Sequence, residues 1–218
     1  ILIFIRNAGF TYYSTLTVCV FALGCSAYCI WNVGRGPVIK NISVKVPNMS
    51  VDKFTIVQLA DMHIDSFTPQ KEIEEIVQTA NGLDGDIIVL AGDIIERSLP
   101  GDKTLQTNLT EQTNLVETYG LNKLKSKYGI FAVSGNHEYY AGISDFYLLC
   151  QSIGAAILDN SSMLVNDCIY VAGVPDKAAK SFNYQSVNIS QALQNVDFQK
   201  PVIFLSHQPH IFEEVSKY

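Results

Sequence analysis

Four short polar motifs, each following an apolar run with the pattern of a strand, constrain this chain most. They are Asp61-Met62-His63 after Phe54–Leu59, Gly92-Asp93-Ile94-Ile95-Glu96 after Ile87–Leu90, Gly135-Asn136-His137-Glu138 after Ile130–Val133, and Ser206-His207 after Val202–Leu205. An open α/β sheet places its ligand crevice at the carboxyl ends of its strands. Carboxylates, an amide and imidazoles at that edge suit a pair of divalent metals better than one closed structural site.

Strand and helix patterns alternate from Asp52 onward, which predicts an α/β domain. The clearest helix has Thr68 as its N-cap and Pro69 at its first position, with apolar residues at helical spacing up to Asn81-Gly82. Further helices are predicted over Asn114–Lys127, Ile143–Ser152 and Val187–Gln194, and a loop over Ser98–Thr113. Strands of a second sheet are predicted at Ala156–Leu158, Met163–Val165 and Cys168–Val171.

The N-terminal part carries no charge from Asn7 to Gly34 and is long enough to cross a bilayer. Aromatic residues near both ends suit the membrane interfaces. We therefore expect one membrane span within residues 1–34, with Ile1–Ile5 as the end of an earlier span. A signal-peptide core and a buried helix are the alternatives. Because the chain begins with Ile1 rather than Met, we expect a fragment.

Residues 35–51 are predicted to be a linker and a first edge strand. Two features of the sequence disagree about which side of the membrane the following domain lies on. Arg35, Lys40 and Lys45 follow the span, which favours the cytoplasm. The number of glycosylation sequons favours the lumen or exterior slightly more strongly, because the chain has five and composition alone predicts about two. The five sequons begin at Asn41, Asn48, Asn108, Asn160 and Asn188. The net charge of −6 gives no indication of a nucleic-acid partner.

The first two motifs each allow a metal-binding and a structural interpretation. Asp61 and His63 lie two residues apart, so in an extended segment both point to one side and can hold one ion; a hydrogen-bonded turn is the alternative. Asp93 follows a glycine at the sheet edge, and its two oxygens can bridge two metals; the alternative is a helix N-cap. Glu96 either orients a ligand or is a solvated helix residue.

The last two motifs supply an amide and two imidazoles. Asn136 offers a hard oxygen ligand or an Asx-turn, and His137 either acts on substrate or is a hydrogen-bonded loop residue. Glu138 is expected to hold a ring nitrogen in one tautomer. A lone His207 would usually be structural, but His63, His137 and His207 all follow strands.

The motifs in this order resemble the calcineurin-like metallophosphoesterase family, from about Asp52 to the C-terminus. The stretch from Tyr128 to Tyr140, followed by Ala172-Gly173-Val174, resembles the branch that carries a membrane segment ahead of the enzyme. The resemblance implies an α/β fold, the calcineurin-like αββα sandwich of two mixed sheets flanked by helices, over residues 52–218. A transmembrane helix would precede it and tie the protein to a lipid bilayer.

The resemblance also implies roles for the motif residues. Asp61 and His63 would bind one metal, Asp93 would bridge two, and Asn136 and His207 would bind the second. His137, next to Asn136 in the catalytic centre, would contact the phosphoryl group or protonate the leaving oxygen. Glu96 and Glu138 would support these ligands.

The same resemblance implies that a hydroxide bridging two divalent ions (Mn, Fe, Zn or Mg) would hydrolyse a phosphate mono- or diester. The family's closing Gly-His-x-His does not follow His207, so we expect the domain to be incomplete at its C-terminus. A catalytically degenerate, membrane-tethered binding module is the alternative, and an enzyme acting on lipid headgroups is a third hypothesis.

Overall fold

The computed structural model describes residues 8–65, 67–96 and 120–218, and the chain divides into two compact units, Ile1–Ile39 and Lys40–Tyr218. The first unit holds α1 (Ala8–Val33). Within α1, Tyr12–Asn32 is a 21-residue stretch of mean hydropathy 1.6, long and apolar enough to cross a membrane. None of its hydropathy window is buried by the described residues, which favours a span over the buried-helix alternative. An N-terminal signal sequence shares these properties.

The second unit contains two β-sheets. The first is a parallel sheet of β1 (Ile56–Leu59), β2 (Ile87–Ala91), β3 (Ile130–Val133) and β4 (Ala155–Ile157), in that order. In the second sheet, β5 (Ser161–Val165) and β6 (Ile169–Gly173) are antiparallel, and β7 (Val202–Leu205) pairs in parallel with β6. The predicted α/β fold of two sheets flanked by helices is confirmed, and the second sheet is mixed, whereas the first is parallel over its described strands.

Two helices between β3 and β4 explain why the strand predicted at Ala156–Leu158 was assigned to the wrong sheet. These are α3 (Asn136–Ala141) and α4 (Ile143–Ser152), and parallel neighbours need such a crossover. The strand predicted at Ala156–Leu158 is β4, and it therefore belongs to the first sheet rather than the second. The short α3 begins inside the third polar motif, at Asn136, and was not predicted.

The remaining helices are α2 (Gln70–Gly82), α5 (Ile189–Leu193) and α6 (Phe212–Val215), with 3₁₀ turns at Leu121–Lys123, Lys177–Phe182 and Pro209–Ile211. Thr68 is not the cap of α2: Pro69 holds that position, and the Thr68 hydroxyl accepts from the Asp65 amide at 3.0 Å.

Other predictions fall on the chain before and after β2. The helix predicted over 114–127 is wrong in its described part, where a 3₁₀ turn is followed by extended backbone; residues 114–119 and the loop predicted over 98–113 lie outside the described residues. Residues 36–46 form no strand, although an edge strand was expected there, and they expose Val38, Ile42 and Val44.

The core holds β2 and β3 between two apolar layers. On one face, residues such as Ile88 and Leu90 pack with α2 and α4. On the other, Ile87 and Val89 belong to a cluster shared with β6 and β7 of the second sheet. Both strands are buried along their whole length, as predicted. This packing holds their carboxyl ends rigidly at one edge of the sheet.

Candidate metal centre

The first two polar motifs lie side by side because β1 and β2 are parallel neighbours. The amide of Asp61 donates to the carbonyl oxygen of Gly92 at 3.1 Å, and the amide of His63 donates to that of Asp93 at 3.0 Å. The two segments pair again where Ile64 meets Ile95. Main-chain hydrogen bonds thus hold the first motif against the second along its length.

Three of the predicted metal ligands have left-handed backbone conformations. The φ angles of Asp61, His63 and Asp93 are 53°, 46° and 52°. This conformation costs L-residues about 1–2 kcal/mol each, and such strain concentrates at functional sites. Here it lies at the carboxyl ends of β1 and β2, where the chain leaves the sheet.

Two glycines allow the second, third and fourth motifs to touch. A Cβ atom on Gly92, whose φ is +87°, would lie 2.7 Å from the Gly135 nitrogen and 2.8 Å from the His207 Cβ. A Cβ atom on Gly135 would overlap Oδ1 of Asp93. No larger residue fits at either position without moving the neighbouring motif.

The carboxylate of Asp93 is the meeting point of three imidazoles. Asp93 is only 4% exposed, and its Oδ1 accepts from the His137 amide at 2.9 Å. Its Oδ2 lies 3.3 Å from Nε2 of His207 and 3.9 Å from Nε2 of both His63 and His137. The structure therefore brings together residues from all four motifs.

The opposite ring nitrogens show why a cation fits this arrangement. Nδ1 of His207 lies 3.0 Å from the carbonyl oxygen of Ala91, which can only accept a hydrogen bond. In the neutral ring Nε2 then carries a lone pair, and it faces Asp93 Oδ2, a second acceptor. Metal-ligating histidines typically donate their other N–H in this way. The donor set therefore fits a divalent metal ion.

Glu96 lies against two of the rings. Its Oε2 contacts Nδ1 of His63 and lies 3.0 Å from Nδ1 of His137. The two rings meet edge to face, with centroids 4.6 Å apart. Of the two interpretations left open for Glu96, contact with candidate ligands is the one that this geometry favours.

Glu138 contacts backbone, where a ring nitrogen was expected. Its buried carboxylate accepts from the amides of Asp93 (2.9 Å), Ile94 (2.6 Å), Ile95 (3.2 Å) and Gly135 (2.7 Å). Burial raises the pKa of Glu138, and these four donors oppose that shift by favouring the ionised form. Glu138 thus holds the main chain around Asp93.

Asn136 begins α3 and faces the loop that follows β7. Its Oδ1 accepts a hydrogen bond from Nε2 of Gln208 at 3.3 Å, next to His207 in the chain. Gln208 was not predicted as a site residue, and its position directly after a strand-end histidine is the one signal that could have indicated it.

The donor atoms form two groups that could each hold a metal ion. One contains His63, Asp93 and His137, and the other contains Asp61, Asp93 and His207, with the donor atoms of each group within 4.8 Å of one another. The family resemblance pairs Asp61 with His63 instead. Asp93 is the shared member in both divisions.

Comparison with known proteins identifies a family for this geometry. The family model described as calcineurin-like phosphoesterase matches residues 54–217, which include every predicted site residue.

Relatives include proteins named as transmembrane proteins. The transmembrane protein with metallophosphoesterase domain of Danio rerio is 24% identical in an alignment that covers 93% of this chain and 46% of the relative. An uncharacterized metallophosphoesterase of Helicobacter pylori strain 26695 is 30% identical over 79% of this chain and 43% of its own length. One from Aquifex aeolicus is 29% identical over 75% of this chain and 58% of its own. The chain spans about half the length of these relatives.

Proposed function

Because the chain belongs to the calcineurin-like phosphoesterase family, we propose that it hydrolyses a phosphate mono- or diester at a centre of two divalent metal ions. The convergence of three imidazole Nε2 atoms on one buried carboxylate oxygen of Asp93 carries this proposal. A structural hydrogen-bond network would instead pair donors with acceptors. The proposal concerns the whole protein, because this chain covers only about half the length of its relatives.

The motif residues divide the work in this mechanism. The metal ligands would be Asp61, His63, Asp93, Asn136 and His207, with Asp93 shared. When bound, divalent ions supply Lewis-acid polarisation of the phosphoryl group and acidify water near neutral pH. Mn, Fe, Zn and Mg all accept this mixture of oxygen and imidazole ligands.

His137 is the residue proposed to act on substrate. Its ring is partly exposed, its Nδ1 lies 3.0 Å from Oε2 of Glu96, and the ring meets that of His63 edge to face. From this position it contacts the phosphoryl oxygens or gives a proton to the leaving oxygen. Glu96 orients the ring, and the backbone held by Glu138 keeps Asp93 in place.

The helix α1 supports a membrane-associated protein, as do the relatives named as transmembrane proteins. We propose that residues 1–34 anchor the phosphoesterase domain of residues 52–218 through the linker 35–51. The lumenal or exterior side stays a prediction.

Substitution of Asp93 tests the proposed function. The whole protein would be stripped of metal, reloaded with Mn²⁺ and assayed on bis-p-nitrophenyl phosphate. Asp93→Asn should reduce kcat by at least about 100-fold, because loss of one group that stabilises transition-state charge has this scale. The exposed Asp52→Asn should behave as the unsubstituted protein. Metal binding without turnover by the unsubstituted protein would favour the degenerate binding module.

A further inference from the structure

An exposed aromatic surface begins at the ring of His137. We call it the aromatic wall; it consists of Tyr140, Phe182 and Tyr184. The Tyr140 ring lies 5.5 Å from that of His137, and the Phe182 ring lies 5.8 Å from that of Tyr140. The three wall residues are 61%, 41% and 47% exposed. Contiguous exposed apolar surface beside a site marks a binding function more often than an isolated exposed side chain does.

A buried tyrosine supports the aromatic wall from behind. Tyr139 is 4% exposed, and its hydroxyl shares a 2.9 Å hydrogen bond with the buried Ser134. Burial raises the pKa of Tyr139 to about 12, so its phenol stays neutral. Its ring lies 6.2 Å from Phe182 and 5.7 Å from Tyr184. The exposed rings therefore rest on a rigid residue of the core.

The 3₁₀ turn Lys177–Phe182 holds the far end of the wall. Asp176 caps this turn by accepting from the Ala178 amide at 2.8 Å. The amide of Tyr184 donates to the carbonyl oxygen of the fully buried Ala179 at 2.9 Å. Phe182 and Tyr184 thus have fixed backbones while their rings remain open to solvent.

We propose that the aromatic wall binds a planar aryl or nucleobase substituent of the phosphate ester, which rests on the proposed function of the site. His137 touches both parts of the arrangement: its Nε2 lies 3.9 Å from Asp93 and its ring contacts Tyr140. A substituent on a phosphoryl group at the metal centre would extend past His137 to Tyr140. Aromatic pairs at centroid distances of 4.5–7 Å gain from their ring quadrupoles beyond simple burial.

Two esters of similar size separate planar stacking from apolar contact. The whole protein in detergent with Mn²⁺ would be assayed on phenyl phosphate and on cyclohexyl phosphate, and the ratio of the two kcat/KM values compared between variants. Tyr140→Leu and Phe182→Leu should each lower the phenyl-to-cyclohexyl ratio about 3- to 10-fold. Tyr140→Phe keeps the ring and should leave the ratio unchanged, as should Phe198→Leu, a substitution of an exposed aromatic residue that stacks on Tyr218 instead.

A binding measurement separates this proposal from the proposed function. The affinities of phenylphosphonate and cyclohexylphosphonate, measured by calorimetry, should show the same loss of preference in Tyr140→Leu and Phe182→Leu. Absence of hydrolysis with an intact phosphonate preference would count against the enzyme and for the aromatic wall. Unchanged ratios in both assays would overturn the aromatic wall, and so would a Tyr140→Leu defect confined to an ester embedded in lipid vesicles, which would indicate contact with a bilayer.

Discussion

At the scale of single residues, one carboxylate serves two rings. Glu96 contacts Nδ1 of both His63 and His137, and as an acceptor it favours the tautomer in which Nδ1 carries the proton. In each ring the lone pair then lies on Nε2, the nitrogen that faces Asp93. Few other side chains could do this, because the acceptor must reach two rings at once. The orientation of both rings should therefore depend on this carboxylate.

Substitution of Glu96 by glutamine tests that dependence. Glu96→Gln keeps the shape but replaces the charged acceptor by a neutral amide, so we expect metal affinity to fall about 10-fold or more, the usual effect of losing a partner of a metal-bound histidine. The measurement is a competition titration of Mn²⁺ against a chelator. The exposed Glu72→Gln on α2 is the control, and equal affinities for the two variants would show that the rings are oriented by other contacts.

A methyl group at Gly135 should damage the same site from another side. In Gly135→Ala the new Cβ overlaps Oδ1 of Asp93, and relief of this overlap displaces either the carboxylate or α3. We expect a loss of about 1–3 kcal/mol in the free energy of unfolding, together with weaker metal binding. Thermal unfolding and calorimetric titration measure both.

Gly82→Ala provides the matched control for that variant. A Cβ atom at Gly82 meets nothing within 4 Å, and alanine suits the end of α2 better than glycine does. If Gly135→Ala had the same unfolding temperature and the same metal affinity as Gly82→Ala, the close approach of the second and third motifs would not matter for the site.

The sequence predicted the residue types of the site and their place at strand ends, but not all of their contacts. Asp93 and His207 could be predicted because each follows an apolar run that forms a strand. The contacts of Glu138 could not, because they depend on α3. Once a helix begins at Asn136, Glu138 is its third residue and lies over unpaired amides at the helix start, including that of Gly135.

At the scale of elements, Glu138 joins α3 to the chain that leaves β2. It accepts four amide hydrogen bonds without a charged partner among the described residues. The position of β4 depends on the same region, since α3 and α4 carry the chain from β3 to β4. Motif spacing could not predict this sheet assignment, because the short α3 has no room for a helical repeat.

Replacing Glu138 by glutamine should loosen this connection. Glu138→Gln exchanges one acceptor oxygen for an amide that itself donates, so two buried backbone amides face a donor. We expect the free energy of unfolding to fall by about 2–4 kcal/mol, because unsatisfied buried donors are costly. Urea unfolding measures it, with the exposed Glu214→Gln on α6 as the control. A difference within about 0.5 kcal/mol of the control would contradict this role.

At the scale of the whole molecule, α1 should retain the protein in membranes. Its side chains from Tyr12 to Asn32 are exposed and mostly apolar, and burying them in lipid removes that surface from water. When the membrane fraction of cells that express the protein is extracted with alkaline carbonate, the protein should stay in the membrane pellet. A variant without residues 8–33 should be released.

N-terminal sequencing completes this test. A mature protein that begins after α1 would show that the segment is a removed signal sequence and would contradict a permanent anchor.

The structure also changes how the sequons bear on topology. Asn160 is 2% exposed; its side-chain nitrogen donates to the Ser186 carbonyl at 2.8 Å, and its oxygen accepts from the Asn188 amide at 2.7 Å. A glycan cannot be attached there in the folded domain. One of the five sequons therefore has a structural explanation, and the argument for the lumenal side rests on the others.

The contact between Gly92 and His207 also decides when the metal centre can come into existence. When β1, β2 and β3 have been synthesised, Asp61, His63 and Asp93 are already present, but His207 has not yet been added to the chain. Loading of the group formed by Asp61, Asp93 and His207 must therefore wait until β7 has emerged and docked beside β6. An ion held by this group would then be taken up only where the finished domain folds, after its last strand has joined the second sheet.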